Sequence, residues 1–394
     1  MSLVDRDQRP KVAPWNDPKV RGNVFQAVLT VFVLFVVYEA FSNAAENLAK
    51  AKIASGFGFW NNIAGFDIGQ RLIEYNATSS YGRAFWVGLF NTLLVAAIGI
   101  VLATIWGFML GIGRLSKNKI INLLSTIYVE LIRNTPLLLQ LLFWYNAVLK
   151  ALPAVRDSKD LGLGMYLNNR GLFTPEPVFG AAWPMVNWAI LIGLAGAIGY
   201  RHWARKRQEA TGAQSPVFLV TLALVLGLPL LVYFAAGQPL SFNHVQLGRF
   251  NISGGWQIFP EFVALLLGLV IYTASFIAEV VRAGIQSVYR GQTEASYALG
   301  LRPGPTLRLV VIPQAMRVII PPLTSQYLNL TKNSSLAVAV GYPDLVQVFT
   351  GTVLNQTGQA VEVVAVTMLV YLTISLSTSL FMNWYNSRKA LVER

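Results

Sequence analysis

The sequence predicts an all-α integral membrane protein with about eight transmembrane helices. Of its 394 residues, 54% are hydrophobic and only 12% are charged, whereas soluble proteins carry about 25% charged residues. This composition, together with long apolar runs, is typical of membrane proteins. The sequence has no cysteine, so we expect neither disulfide bonds nor thiolate metal sites. Its two histidines lie too far apart for a metal-binding spacing.

The N-terminal part is assigned from the length of its apolar run, since a transmembrane helix needs about 20 apolar residues. Residues 1–23 are polar and basic, and we expect them to form a cytoplasmic tail. Residues 24–84 are predicted to contain the first transmembrane helix and a periplasmic loop. The aromatic side chains of that loop, Phe57, Phe59 and Trp60, are expected at the membrane surface.

Residues 85–149 are predicted to hold the second and third transmembrane helices. The second contains Gly107 and Gly111, a spacing that permits close helix packing. The following apolar run is too long for one straight helix, and Pro136 interrupts it. Because proline removes a backbone donor, we expect an entry helix before Pro136 and a transmembrane helix after it.

Residues 150–258 are predicted to be an insertion that carries two extra transmembrane helices, at 184–200 and 217–236. The flanking segments, 150–182 and 237–257, are polar and are expected to form loops. The sequence leaves the role of the insertion open between lipid-facing support and contact with a partner.

Residues 259–385 are predicted to contain the last three transmembrane helices. The seventh helix is expected to be broken at Pro321 and Pro322. Between the sixth and seventh helices, residues 290–313 are too polar to span a membrane and are expected to form a cytoplasmic loop. Residues 386–394 are expected to form a second cytoplasmic tail.

The distribution of basic residues predicts the orientation of these helices. With eight helices and an N-terminus inside the cell, about 19 of the 31 Lys and Arg residues fall on the cytoplasmic side and about 9 on the opposite side. Such an excess is the usual orientation signal. Nucleic-acid binding is therefore not needed to explain the net charge of +13. Both termini and the polar loop are placed in the cytoplasm.

The polar loop has the features of a short helix with an unburied apolar face. Thr293 is expected to cap the helix, and Gly300 is placed to end it in a left-handed conformation. Ala295, Ala298 and Leu299 are spaced to share one face. Pro303-Gly304-Pro305 then predicts a sharp turn before a second helix. A short helix of this kind needs a partner, although an ordinary interfacial loop is an equally good interpretation.

The same residues carry a family resemblance. Glu294-Ala295-Ser296, followed by Gly300 and then by Val310 and Ile312-Pro313, resembles the EAA motif of ABC importer permeases. Ser296, Val310 and Ile312 are mild departures from that motif. Two further segments resemble the polar amino-acid branch of the family. They run from Glu130 to Gln140 and from Ile277 to Ser287, and the polar run that begins at Lys332 matches it as well.

The resemblance covers residues 85–149 and 259–384, and the insertion between them is typical of the larger permease subunits of general L-amino-acid or glutamate/glutamine/aspartate/asparagine importers. It implies a type I ABC importer permease core with an inserted helix pair, in the bacterial inner membrane. It implies four kinds of partner: a second permease subunit that forms a heterodimer with this chain, two copies of an ATPase that binds ATP and Mg²⁺, a periplasmic amino-acid-binding protein, and the lipid bilayer. No cofactor or catalytic residue is expected in this chain.

The resemblance also assigns a role to the polar loop, which docks on the ATPase in that family. The residues implied to couple the two subunits are Glu294, Ala295, Ser296, Ala298, Leu299, Gly300 and Pro313.

Charged and polar residues near the membrane are candidates for a gate or for the substrate pathway. Glu130 with Arg133, and Glu279 with Arg282, repeat an i, i+3 spacing that puts each pair on one helix face. Each pair is an interfacial ion pair, a cytoplasmic gate, or a contact to a zwitterionic substrate. Further candidates form a polar run and a turn within apolar segments: Asn134, Lys332, Asn333, Ser334 and Ser335. Lys332 either attracts a substrate carboxylate or neutralises a glutamate.

Other functional classes have weaker support in the sequence. A stand-alone secondary transporter or channel is the main alternative, but such proteins usually show inverted repeats or acids at the membrane midplane. A membrane enzyme would need a recognisable catalytic or metal motif, and neither HExxH nor GxSxG occurs. The sequence also has no GxxxxGK[ST] nucleotide-binding motif, which agrees with an ATPase on a separate subunit.

Overall fold

The structure is a computed structural model that describes residues 18–50, 55–248 and 252–389. Within these residues, seven helices are long and apolar enough to cross a membrane. The predicted third transmembrane helix is present as a shorter apolar helix, Leu137–Leu149. The expectation of an all-α membrane protein with about eight spans is thus confirmed. The two predicted tails lie largely outside the described residues, since the first helix, α1 (Pro18–Lys50), already starts at Pro18.

The chain forms two compact units, and the first combines the described residues up to Phe90 with Leu345–Ile374. It contains α1, the beginning of α2 (Tyr81–Gly113), π-helical turns at Val346–Val353, the short α12 (Leu354–Thr357) and the first half of α13 (Ala360–Lys389).

The core of this unit combines aromatic rings with aliphatic side chains. Phe59 is buried, and its ring lies 6.1 Å from that of Tyr81 and 6.2 Å from that of Phe349. The Trp60 ring lies 5.2 Å from Phe85. The Phe59 and Trp60 rings thus pack against other side chains of this unit, whereas Phe57 remains exposed. Edge-on and tilted ring pairs of this kind stabilise a core beyond their buried area. That the loop lies on the membrane surface stays a prediction.

The second unit, from Asn91 to Asp344 with Ser375–Arg394, contains the remaining helices. The rest of α2 packs against α8 (Pro260–Gln286) through the two predicted glycines. A Cβ atom on Gly107 would lie 2.6 Å from the Cβ of Ile277, and one on Gly111 would lie 2.8 Å from the carbonyl oxygen of Ala278. The glycine spacing therefore does mark a close helix contact.

Helix α11 (Ile312–Asn333) packs closely against α8 and remains one continuous helix. A Cβ atom on Gly284 of α8 would lie 2.3 Å from the Ile319 side chain of α11. The predicted break at Pro321 and Pro322 is wrong, because α-helix continues on both sides of the two prolines. Proline costs helical hydrogen bonds, but packing against a neighbouring helix offsets that cost in membrane proteins.

The ends of the insertion form β-strands, which corrects the prediction that they are loops. Four antiparallel strands form one sheet in the order β1 (Lys159–Gly162), β2 (Met165–Asn168), β3 (Gly171–Thr174) and β8 (Trp256–Ile258). A separate pair joins β4 (Glu176–Phe179) to β5 (Leu240–Asn243). Leu172 of β3 pairs with Ile258 of β8, so the start and end of the insertion lie side by side. A third sheet pairs β6 (Gln246–Leu247) with β7 (Ile252–Ser253).

Between these strands lie the two predicted helices of the insertion. The first, α5 (Trp183–Thr211), continues well past its predicted end at Tyr200. The second consists of α6 (Val217–Leu222), π-helical turns, and α7 (Leu228–Ala235). A Cβ atom on Gly193 would lie 2.2 Å from the carbonyl oxygen of Leu224, so the two helices touch at backbone distance.

Candidate coupling helix and ion-pair cluster

The predicted short helix in the polar loop is present as α9 (Arg290–Ala298). It starts four residues earlier than expected, so Thr293 lies inside the helix and is not its cap. Tyr289 occupies the capping position instead and makes no side-chain capping hydrogen bond. The helix follows α8 after a turn of three residues, at the end of a candidate membrane span.

Gly300 ends α9 in the left-handed conformation that the sequence predicts, with φ of +79°. The Gly300 N–H donates to the carbonyl of Tyr297 at 2.9 Å, and the Leu301 N–H donates to the carbonyl of Ser296 at 3.1 Å. These bonds satisfy carbonyl groups that a helix end otherwise leaves unpaired. A glycine is favoured here because other residues adopt this backbone conformation at a cost.

The chain after α9 does not make the sharp turn expected from its two prolines. Pro303 instead opens a helical turn, α10 (Pro303–Thr306), which passes through π-helical turns at Leu307–Val311 into α11. Proline suits the first position of a helix because the missing N–H has no partner there. The chain is thus helical from Pro303 to Asn333 without interruption.

The predicted apolar face of α9 is exposed. Ala295, Ala298 and Leu299 all lie on the surface, and Leu299 is 82% exposed. The neighbouring ring of Tyr289 is 79% exposed. Ser296 is the buried residue of the helix, and its hydroxyl donates to the carbonyl of Gln292 at 2.7 Å. The apolar face therefore points away from the rest of this chain.

A side-chain contact connects α9 to the start of α11. The amide of Gln314 donates to Oε1 of Gln292 at 3.4 Å. Gln314 immediately follows Pro313, the last residue of the predicted motif, and both Pro313 and Glu294 are exposed. The motif residues thus lie on α9 and on the first turn of α11, which are linked both through the chain and through this contact.

A second candidate site is a cluster of ion pairs centred on Glu279 in α8. Arg114, just after α2, forms an ion pair with Oε2 of Glu279. The guanidinium of Arg282 donates from Nε to the same oxygen at 3.3 Å, and its Nη1 donates to Gln286 at 2.7 Å. Arg133, at the end of α3 (Lys119–Arg133), lies 3.8 Å from the Glu279 carboxylate. One carboxylate therefore meets three arginines from three parts of the chain.

The ion pairs in the structure differ in part from those that the sequence spacing predicts. Glu279 and Arg282 do pair, but Glu130 and Arg133 are not within ion-pair distance in the described part of the chain. Glu130 instead lies 3.5 Å from Arg114, and the Arg133 guanidinium lies over the Phe276 ring at 5.2 Å. Arg114 was not predicted as a site residue because, in the sequence, it is only one of several basic residues in a short loop.

Burial makes these contacts more significant than surface ion pairs. The side chain of Arg114 is only 11% exposed and that of Glu279 is 27% exposed, whereas Glu130 is 57% exposed. A charge removed from water needs opposite charges and hydrogen bonds to offset the loss of hydration. Glu279 is therefore the residue on which the arginines depend, and Glu130 is a peripheral member of the cluster.

The turn between α3 and α4 (Leu137–Leu142) is held by amide side chains. Asn134 donates from Nδ2 to the carbonyl of Glu130 at 2.7 Å. Gln140, which is buried, donates from Nε2 to the carbonyls of Ile132 and Thr135, both at 3.0 Å. Gln140 was not predicted as a site residue, although a glutamine within an apolar run is itself a signal. These bonds fix the position of Arg133 next to the cluster.

The polar run that begins in the last turn of α11 does not take part in this cluster's ion pairs. Ser334 is buried and donates to the carbonyl of Thr331 at 2.7 Å, while Ser335 donates to the carbonyl of Lys332 at 2.7 Å. Both hydroxyls are thus satisfied by their own helical turn. Asn333 is half-buried and Lys332 is exposed, and no carboxylate of the described residues lies within 4.0 Å of the Lys332 ammonium. Lys332 therefore does not neutralise a glutamate there.

The segment beyond the polar run is anchored by a buried tyrosine. Tyr342 donates its hydroxyl to the carbonyl of Asn91 at 3.1 Å, and the Asn91 amide donates to the carbonyl of Pro343 at 2.9 Å. Burial raises the pKa of Tyr342 far above its usual value, and nearby Asp344 adds to this effect. The hydroxyl therefore remains a donor at physiological pH. These two bonds hold the end of the polar run against the start of the second unit's α2 segment.

Comparison with known proteins agrees with this architecture. Residues 211–391 match the family described as binding-protein-dependent transport system inner membrane component. The chain is 53% identical over 378 residues to the general L-amino acid transport system permease protein AapQ of Rhizobium johnstonii, covering 96% of this chain and 94% of that protein. It is 40% identical over 411 residues to the glutamate/glutamine/aspartate/asparagine transport system permease protein BztB of Rhodobacter capsulatus, with 96% of each chain covered.

These matches span nearly the whole chain, so they necessarily include most of the insertion. The coverage confirms the resemblance to the larger permease subunits, and the helical core agrees with it. The chain belongs to the family of permease subunits of amino-acid ABC transporters.

Proposed function

We propose that this permease forms the membrane pathway of an ATP-driven importer of polar L-amino acids and that α9 couples it to a separate ATPase. The observation that carries the proposal is the exposed apolar face of α9, with Leu299 82% exposed. Exposed apolar surface bounded by polar residues commonly marks a protein interface. A helix of nine residues has little stability alone, so docking on a partner would give it a defined position.

The path from α9 into the membrane supports a mechanical role. Helical structure runs from Pro303 to Asn333 without a break, and Gln314 contacts Gln292 of α9. A movement of α9 would therefore be passed to α11 rather than absorbed in a flexible loop. Because α11 packs closely against α8 at Gly284, the movement would reach α8, which carries Glu279.

The Glu279 cluster is proposed as a cytoplasmic gate. It joins α8 to the segment after α2 and to the end of α3, so a shift of α8 would change its ion pairs. Part-buried ion pairs provide two discrete arrangements, paired and separated, which is what a gate needs. The alternative is a purely structural set of interfacial ion pairs, which would hold the helices together in every state.

The assembly that follows from this role contains several partners. We propose a second permease subunit in a heterodimer, two copies of an ATPase that bind ATP and Mg²⁺, and a periplasmic amino-acid-binding protein. The chain itself would hold no cofactor and perform no catalysis. It would lie in the bacterial inner membrane with both termini in the cytoplasm, as the excess of Lys and Arg on that side favours. The names of the relatives suggest polar L-amino acids as substrates.

Reconstitution tests this proposal directly. The chain would be placed in liposomes with its second permease, the ATPase and the binding protein, and uptake of radiolabelled L-amino acids would be measured. We expect uptake only with ATP and all partners, and none when the ATPase carries a substitution in its nucleotide-binding lysine. Full uptake by this chain alone would contradict the proposal and favour a stand-alone transporter.

A further inference from the structure

The two helices of the insertion enclose an apolar groove that has a charged residue at one end. The groove has a volume of about 550 Å³. Apart from Arg201, its lining is aliphatic or aromatic with one threonine: Leu194, Ala197, Ile198, Val217, Phe218, Thr221 and Val225. Ile198 is 71% exposed and Phe218 is 76% exposed, so the groove opens to the surroundings of the chain and is not part of a closed core.

The position of the groove follows from the packing of α5. The backbones of α5 and the second insertion helix touch at Gly193, where a Cβ atom would meet the carbonyl of Leu224. Arg201 lies eight residues further along α5, which corresponds to about 12 Å of helix. The groove thus lies between a tight contact of the two helices and a basic residue. One of its walls, α5, is long and apolar enough to cross a membrane.

Arg201 begins a strongly basic end of α5. Arg205, Lys206 and Arg207 follow it, and Glu209 is the acidic residue of this stretch. Arg205 pairs with Glu209 at 3.0 Å, and the Arg207 guanidinium lies over the Trp203 ring at 5.2 Å. Among the described residues, no carboxylate lies within 4.0 Å of Arg201. The guanidinium at the end of the groove is therefore available to an anion.

We propose that this groove binds one anionic phospholipid, with an acyl chain along the apolar lining and the phosphate on Arg201. Basic pockets between transmembrane helices at the cytoplasmic surface are suited to anionic head groups, and Arg201 is at that surface in the orientation proposed above. A transmembrane helix of another protein would have to bring a carboxylate to the same point. A lipid brings both the apolar chain and the anion in one molecule.

Native mass spectrometry of the purified full-length chain tests the head-group preference. Phosphatidylglycerol and phosphatidylcholine with the same acyl chains would be titrated separately. We expect the wild-type chain to bind phosphatidylglycerol about fivefold more strongly than phosphatidylcholine. This ratio corresponds to about 1 kcal/mol, the contribution of one basic residue near the surface. Arg201→Gln should remove this preference. Arg388→Gln, a matched loss of charge at the end of another membrane helix, should retain it.

A second measurement reports the acyl chain within the assembled importer. Because this chain has no cysteine, Ile198→Cys provides its single attachment site for a bimane fluorophore, which is added to the purified chain before assembly. Phosphatidylglycerol with brominated acyl chains should quench it more than brominated phosphatidylcholine does, and Arg201→Gln should abolish the difference.

Two results would overturn the proposal. One is equal retention of the two lipids by wild type, or an unchanged preference in Arg201→Gln. The other is a fluorophore that neither lipid quenches, together with thiol crosslinking of the unlabelled Ile198→Cys variant to the second permease, which would make the groove a protein interface. Neither readout requires transport, so both are independent of the coupling role proposed for α9.

Discussion

Arg114 and Glu279 form an ion pair that joins residues 165 positions apart in the chain. Arg114 follows the end of α2, and Glu279 lies in the last two turns of α8, so the pair fixes two membrane helices relative to each other. Arg114 is the most buried side chain of the ion pairs in the described part of the chain, at 11% exposed. A movement of α8 relative to α2 would therefore change this ion pair directly.

Glu279→Gln should reduce uptake if the cluster is a gate. The substitution removes the carboxylate that meets Arg114, Arg133 and Arg282, and leaves these part-buried cations insufficiently neutralised. We expect ATP-dependent uptake to fall by at least about tenfold, which corresponds to about 1.4 kcal/mol in the barrier. The measurement is initial uptake in proteoliposomes, with subunit assembly checked by gel filtration.

Glu130→Gln is the matched control for that experiment. Glu130 is more exposed, and Arg114 is the one residue that lies within ion-pair distance of it in the described part of the chain. Its loss should therefore change uptake by less than about threefold, as expected for an exposed pair. Unchanged uptake by Glu279→Gln, with normal assembly, would leave the cluster a structural feature only.

Gly300→Glu should uncouple ATP hydrolysis from transport. The left-handed backbone at Gly300 is unfavourable for a glutamate, by about 1 kcal/mol, and the added charge lies next to the exposed Leu299. We expect transport to fall about tenfold or more, while insertion and basal ATP hydrolysis are retained. Gly300→Asn is the control, because asparagine tolerates this conformation and adds no charge. Equal transport by both variants and wild type would contradict a docking role for α9.

Ala298→Asp tests the apolar face of α9 and leaves Gly300, at which the helix ends, unchanged. A carboxylate on this exposed face should weaken docking because burying an unpaired charge is costly. The expected result is loss of ATPase subunits from the purified complex, measured by quantitative gel densitometry. Ala213→Asp, the same change at an exposed position between α5 and α6, should leave the subunit ratio unchanged. A normal ratio for Ala298→Asp would argue against an interface at this face.

Gly107→Leu should destabilise the packing of α2 against α8. Its side chain would overlap Ile277, which is already 2.6 Å from the position of a Cβ atom. Overpacking typically costs about 1–3 kcal/mol, so we expect a lower thermal unfolding midpoint for the purified chain. Gly199→Leu is the control, because a Cβ atom there has no neighbour within 4 Å among the described residues. Similar midpoints for the two variants would contradict the close contact.

Lys332→Gln tests whether the exposed lysine attracts substrate. No carboxylate of the described residues neutralises Lys332 within 4.0 Å, so a substrate carboxylate is the remaining candidate from the sequence. We expect the transport KM to rise about tenfold with little change in kcat. The reason is that the lysine would bind the substrate equally strongly before and during the transport step, so its loss weakens binding alone. Lys119→Gln, at the start of α3, should leave both constants unchanged. An unaltered KM in Lys332→Gln would show that Lys332 does not bind the substrate.

The sequence by itself determined the membrane fold, the short helix of the polar loop and its left-handed end at Gly300. These features depend on local properties: the length of apolar runs, helical spacing and the conformational freedom of glycine. The close contact at Gly107 and Gly111 was also visible, because small residues one turn apart form a local pattern. The family resemblance rested on such local motifs as well.

Only the tertiary structure decided which distant residues meet. The spacing suggested a pair between Glu130 and Arg133, but the fold directs Glu130 to Arg114 and Arg133 to Glu279. The strands of the insertion were missed for the same reason, since Leu172 pairs with Ile258 across two intervening helices. Ion pairs and antiparallel strands depend on groups that are far apart in the chain, and only folding brings those groups within reach.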